Sequence, residues 1–163
     1  MCFSEHHMCQ EELQTIYFDS YNLRGSYCRS SYAKGGVCIF VKEGIECTCL
    51  ELTRFCEDKD FKACACKIYT NSKRICIIAL YRAPIGNFDS FLTKLDNILG
   101  YLYTNTLDFI ILGDINLNYL VDSSRKSQLE VLLSTYNLTG LINFPTRIQK
   151  KISYSDRQHF PGL

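Results

Sequence analysis

A chain of 163 residues, 47% apolar and 21% charged, suits one globular domain with a sizeable core and excludes a disordered polymer. Its formal net charge of +1 excludes capture of a polyanion by the whole surface, so any nucleic-acid contact must come from a local patch. No run of about 18 apolar residues occurs, which excludes a membrane-spanning helix of the usual kind.

The opening Met1-Cys2-Phe3-Ser4-Glu5-His6-His7 has neither the basic start nor the apolar centre of a signal peptide, so a reducing, intracellular setting is expected. In that setting the ten cysteines are not a disulfide framework. They do not form the paired C-x2–4-C spacing of structural zinc sites either. Cys47 and Cys49, like Cys64 and Cys66, are two residues apart, which puts both thiols of each pair on one face of a strand. The expected role is that of small apolar side chains in a core.

Along the chain, residues 2–5 read as the end of a strand that stops at Glu5. Glu11 to Ile16 suits a short helix, and Tyr17 to Cys28 an extended aromatic-rich segment. Gly35-Gly36 turns into an apolar strand, Val37-Cys38-Ile39-Phe40-Val41, and Lys42-Glu43-Gly44 turns into another over Ile45 to Leu52. Phe61 to Tyr69 and Arg74 to Leu80 form a hairpin about Thr70-Asn71-Ser72-Lys73. The period then changes. Phe88, Phe91, Leu92, Leu95, Ile98, Leu99 and Leu102 recur at three and four, an amphipathic helix with Asn87 as its N-cap. Ser124 to Leu138 shows a second helical stripe, and Leu141 to Phe144 a short apolar run. Hairpins followed by strand–helix alternation predict an α/β domain of two sheets with helices outside. Residues 1–148 carry that pattern, and 149–163 read as an irregular tail.

The centre of the pattern is Phe109-Ile110-Ile111-Leu112-Gly113-Asp114-Ile115-Asn116. Four successive apolar residues predict a strand buried on both faces. Beyond Gly113, Asp114 and Asn116 stand at alternate positions, so both side chains can reach one small site at the sheet rim. The same residues suit a plain turn, since Asp and Asn bond their own backbone. His6 and His7 follow Glu5 directly; adjacent strand residues face opposite ways, so a solvated loop is preferred to a metal site. Tyr81 suits a strand-end aromatic with a buried ring and a wet hydroxyl.

Five segments in order carry a resemblance: Cys2-Phe3-Ser4-Glu5-His6-His7, Gly35 to Val41, Ala79-Leu80-Tyr81-Arg82-Ala83-Pro84, Ile111-Leu112-Gly113-Asp114-Ile115-Asn116 and Pro145-Thr146-Arg147. Together they resemble the endonuclease/exonuclease/phosphatase family, above all the apurinic/apyrimidinic-like endonuclease domains of insect-type non-LTR retrotransposons. The resemblance implies a deoxyribonuclease I-like fold, two packed mixed sheets flanked by helices in a four-layer α/β/β/α sandwich. It implies Glu5 as ligand to a catalytic magnesium (or manganese) ion and Tyr81 as a contact to the scissile phosphate. Asp114 would orient or deprotonate the attacking water, and Asn116 would hold phosphate or water. Arg147 would reach a nucleic-acid backbone. DNA is the implied substrate, a reverse transcriptase region the implied neighbour in a full-length element, and the nucleus the implied place of action.

The same comparison exposes departures. The family's asparagine on a strand ahead of the glutamate has no counterpart, and the closing Ser-Asp-His segment is missing. Neither Asp156 nor His159 restores it. The expectation is a domain cut at both ends, with cleavage weak or absent because losing one member of a cooperative site costs orders of magnitude. Two other readings stay open: the same scaffold acting on a phosphoester other than DNA, and a non-catalytic remnant.

Overall fold

The computed structural model describes residues 1–28, 35–104, 106–142, 144 and 146. The element order is β1 (Cys2–Ser4), α1 (Gln10–Thr15), β2 (Tyr21–Tyr27), β3 (Val37–Lys42), β4 (Cys47–Leu50), β5 (Phe61–Tyr69), β6 (Arg74–Arg82), α2 (Phe88–Leu102), β7 (Leu107–Asp114) and α3 (Ser124–Thr135). They form a three-stranded sheet in the order β1-β3-β2 and a four-stranded sheet in the order β4-β5-β6-β7. All pairings are antiparallel except β6–β7, whose parallel register needs the crossover that α2 supplies.

Alternation within the strands sorts the side chains into layers. Val37, Ile39 and Val41 of β3 meet Cys64, Cys66, Ala79 and Tyr81 in a buried cluster between the two sheets. The other face of the first sheet buries Cys38 and Phe40 against Leu13 of α1, with the rings of Phe3 and Phe18 edged against Phe40. On the far face of the second sheet, Phe61, Ala63, Cys76, Ile78 and Leu80 pack against Phe91, Leu95, Ile98 and Leu99 of α2. The result is a helix, two sheets and helices again.

Local chemistry sets the boundaries of α2. Asn87 Oδ1 accepts from the Ser90 N–H at 2.9 Å, and the helix buries six residues, among them Phe91 and Leu95. Each such side chain contributes about 1.5–3 kcal/mol on burial. The interior cysteines behave as small hydrophobes: Cys38, Cys64, Cys66 and Cys76 are buried and unpaired.

One sequence expectation about the strands needs correction. The strand buried on both faces is β3, where Val37 to Val41 are 0–5% exposed. In β7 only Leu107, Phe109 and Ile111 pack against the helix side, while Ile110 and Leu112 remain 43% exposed on the other. The reason is position: β7 is the edge of its sheet, paired among the described residues with β6 alone, and Leu112 lines an open cleft. Leu141, Ile142 and Phe144 form no strand and are exposed. The tail beyond 148 lies outside the described residues. No helix among those described is long and apolar enough to cross a membrane.

Candidate functional site

Glu5 stands one residue past β1 with a left-handed φ of 56°. Its N–H donates to the Gly36 carbonyl at 2.9 Å, and His7 N–H donates to Gly35 O at 2.9 Å, so the ladder with the chain before β3 continues past the strand end. The histidines hold this corner together. His6 lies against Gly36, where an added Cβ would come within 2.4 Å of the imidazole; only a glycine fits. His6 Nδ1 accepts from Met8 N–H at 3.1 Å, and His7 Nδ1 accepts from Gly35 N–H at 2.9 Å. Burial pushes the His6 pKa down. The expected solvated loop is therefore a hydrogen-bonded corner that fixes the backbone of Glu5. Among the described residues no three His, Cys, Asp or Glu side chains cluster as a metal cage.

Across the inter-sheet gap stands the end of β7. Gly113 has a φ of +141°, and a Cβ there would lie 1.8 Å from the Leu80 carbonyl oxygen, so the glycine lets β6 and β7 close up. Asp114 follows, half-buried. Its Oδ1 accepts the Asn116 N–H at 2.8 Å, the turn chemistry weighed in the sequence. Turn and site are compatible, because that bond uses one carboxylate oxygen.

Asn116 has a φ of 48° and points its amide away from the obvious target: Nδ2 donates to the Arg82 carbonyl at 2.8 Å. Arg82, 2% exposed, returns the contact, donating from Nη1 to Ile115 O at 3.0 Å and Asn116 O at 3.3 Å, and from Nη2 to Gly86 O at 3.2 Å. Its guanidinium also lies 5.4 Å from the centre of the Phe88 ring. Burial lowers the Arg82 pKa, Arg125 lowers it further, and Asp60 opposes both. Sequence reasoning placed Arg82 in a motif without giving it a role. The available signal was an arginine continuing the apolar run of β6.

Glu5, Asp114 and Asn116 line one cleft of about 900 Å³, together with Ser4, Leu112 and Thr146. Tyr81 is not on its wall. It is 4% exposed, paired in register with Asp114 on one side and Lys62 on the other. The Lys62 ammonium sits 4.8 Å from the centre of its ring. The wet hydroxyl expected from the sequence is thus replaced by a buried phenol behind the carboxylate. Lys62, fully buried, was not anticipated as a neighbour. Arg147, Asp156 and His159 lie outside the described residues.

A divalent cation suits this donor set in kind. Two carboxylates from opposite walls are hard oxygen ligands, and magnesium takes one or two of these while keeping several waters.

No protein-family model matches the chain, and no curated protein matches it by sequence. Among solved structures, the endonuclease domain of TRAS1, a telomere-specific non-LTR retrotransposon, is similar at a TM-score of 0.56 and 15% identity. The match covers 73% of this chain and 54% of that one, so the chain spans about half the length of that domain. Two sheets flanked by helices, in the deoxyribonuclease I-like arrangement of that endonuclease domain, are the fold of this chain.

Proposed function

We propose that this chain is the nuclease module of a retrotransposon-derived protein, a divalent-metal phosphodiesterase scaffold that acts on DNA at low efficiency. The observation that carries the reading is the convergence of Glu5, Asp114 and Asn116 on one cleft from two different sheets. Glu5 and Asp114 are the residues that hold magnesium or manganese; such an ion, when bound, offsets charge on the non-bridging oxygens of a phosphodiester.

Asp114, half-buried at the end of β7 with one oxygen taken by the Asn116 N–H, would orient the attacking water at that ion. Tyr81, buried between Lys62 and Asp114 and off the cleft wall, supports the end of β7 from the core rather than touching the phosphate. Arg147 adds charge for the DNA backbone. A reverse transcriptase region is the partner such a module serves, and the nucleus the place it serves it. Low efficiency follows from the Asn116 amide, which is committed to the Arg82 carbonyl rather than to a substrate.

The test is nicking of supercoiled plasmid with magnesium, comparing the parent with Asp114→Ala. Slow nicking, abolished by chelation and by the substitution, is expected. Equal nicking by both proteins would remove Asp114 from the reaction and with it the reading. Fast nicking lost in the variant would overturn the claim of low efficiency.

A further inference from the structure

Cys49 of β4 stands directly opposite Cys66 of β5. The hydrogen-bond phase of this ladder is set by Tyr69 N–H donating to Glu46 O at 3.0 Å. Residues 46 and 69 are thus a hydrogen-bonded couple, and strict alternation makes 49 and 66 a non-hydrogen-bonded one. Couples of that kind bring their Cα atoms to about 4.5 Å, inside the window of about 4.4–6.8 Å that a disulfide spans. Among the described residues, no other cysteine has a cysteine as its ladder partner.

The surroundings divide labour between the two thiols. Cys49 is exposed on the edge strand, and Cys66 is 0% exposed beneath the first sheet. Burial pushes the Cys66 thiol up, and the neighbouring Cys49 adds to the rise. The neighbouring sheet is shaped around them. β2 bulges between Leu23 and Gly25, and Cys49 Sγ donates to the carbonyl of the bulged Arg24. A Cβ on Gly25 would come to 3.3 Å from Cys66 Sγ, so the bare glycine keeps that sulfur unobstructed.

We propose that Cys49 and Cys66 are a reversible peroxide-responsive thiol pair, which oxidation closes into a cross-strand disulfide stapling edge strand β4 to β5. Cys49, in thiolate form, attacks the peroxide and becomes a sulfenic acid while hydroxide leaves. The Cys66 sulfur then attacks the sulfenic sulfur. The S–S bond forms, the S–O bond breaks, and the oxygen departs as water with the Cys66 proton. One peroxide is reduced to two waters as two thiols become one disulfide. A thiol reductant reverses the change by exchange. Cys49 is the residue an oxidant meets first and Cys66 the one that resolves it, the exposed-plus-resolving arrangement of redox-sensitive cysteines. The pair lies on β4 and β5, apart from the residues lining the Glu5–Asp114 cleft, so it stands whether or not the chain cleaves DNA.

The experiment treats the reduced full chain with hydrogen peroxide, labels residual thiols with N-ethylmaleimide under denaturing conditions, and maps peptides by mass spectrometry. The expected result is a joined peptide containing Cys49 and Cys66, lighter by two hydrogens, which dithiothreitol separates. Cys49→Ser abolishes it, and Cys47→Ser leaves it intact. Separate labelling of Cys49 and Cys66 after oxidation would overturn the proposal. So would a joined peptide that survives in Cys49→Ser.

Discussion

Arg82 and Asn116 hold each other across the end of the second sheet: the Asn116 amide donates to the Arg82 carbonyl at 2.8 Å, and the Arg82 guanidinium donates back to the Asn116 carbonyl at 3.3 Å. The loop carrying the Asp114–Asn116 couple is therefore pinned by β6. Arg82→Met keeps length and bulk but strips donors from the carbonyls of Ile115, Asn116 and Gly86. It is expected to lower stability by about 3 kcal/mol in urea denaturation. Arg82→Lys recovers only part, because one ammonium cannot reproduce the guanidinium fork. A methionine variant as stable as the parent would contradict the pinning.

Gly113 is a second point where backbone geometry governs the site. A side chain there must coexist with the Leu80 carbonyl at 1.8 Å from its Cβ while holding a φ of +141°. Gly113→Ala is expected to cost about 3 kcal/mol or more and to part β7 from β6 near Asp114. Thermal melting reads the first effect, and amide exchange on β6 and β7 reads the second. A melt within a degree or so of the parent would contradict the close approach.

The part of this architecture that was legible in the sequence shows why the rest was not. The stripe from Phe88 to Leu102 and its Asn87 cap match α2 because a helix that buries one face writes that face into its spacing. The β5–β6 hairpin was equally open to view. For β7 the apolar run announced a strand, but whether Ile110 and Leu112 are covered depends on the strand's place at the sheet edge, which spacing does not encode. His6 looked solvated because its partner, Gly36, lies thirty residues away across a strand pair. The clamp on Asn116 was hidden for a different reason: Arg82 bonds backbone carbonyls, and any sequence supplies those.

The buried thiols predict a weakness to alkali. Burial pushes Cys38 up to about 12 and Cys56 and Cys76 to about 11, from an ordinary value of 9.0, and raises Cys64 and Cys66 as well. The unfolded chain releases these protons first. Stability is thus undiminished below pH 9.0 and falls as the pH rises from there towards 11. The urea midpoint is expected to drop between pH 8 and pH 10, and to drop less in Cys76→Ala, which removes one of these groups. An equal drop in parent and variant would show that this thiol does not contribute.

The claim on which the functional account depends is that Glu5 and Asp114 face one cleft and together hold a divalent cation. The most direct measurement is a manganese titration followed by amide NMR, where paramagnetic broadening marks the bound ion's neighbours. The account predicts broadening centred on residues 4–6 and 112–118, mostly lost in both Glu5→Gln and Asp114→Asn. Broadening centred elsewhere, or unchanged in the two variants, would contradict it.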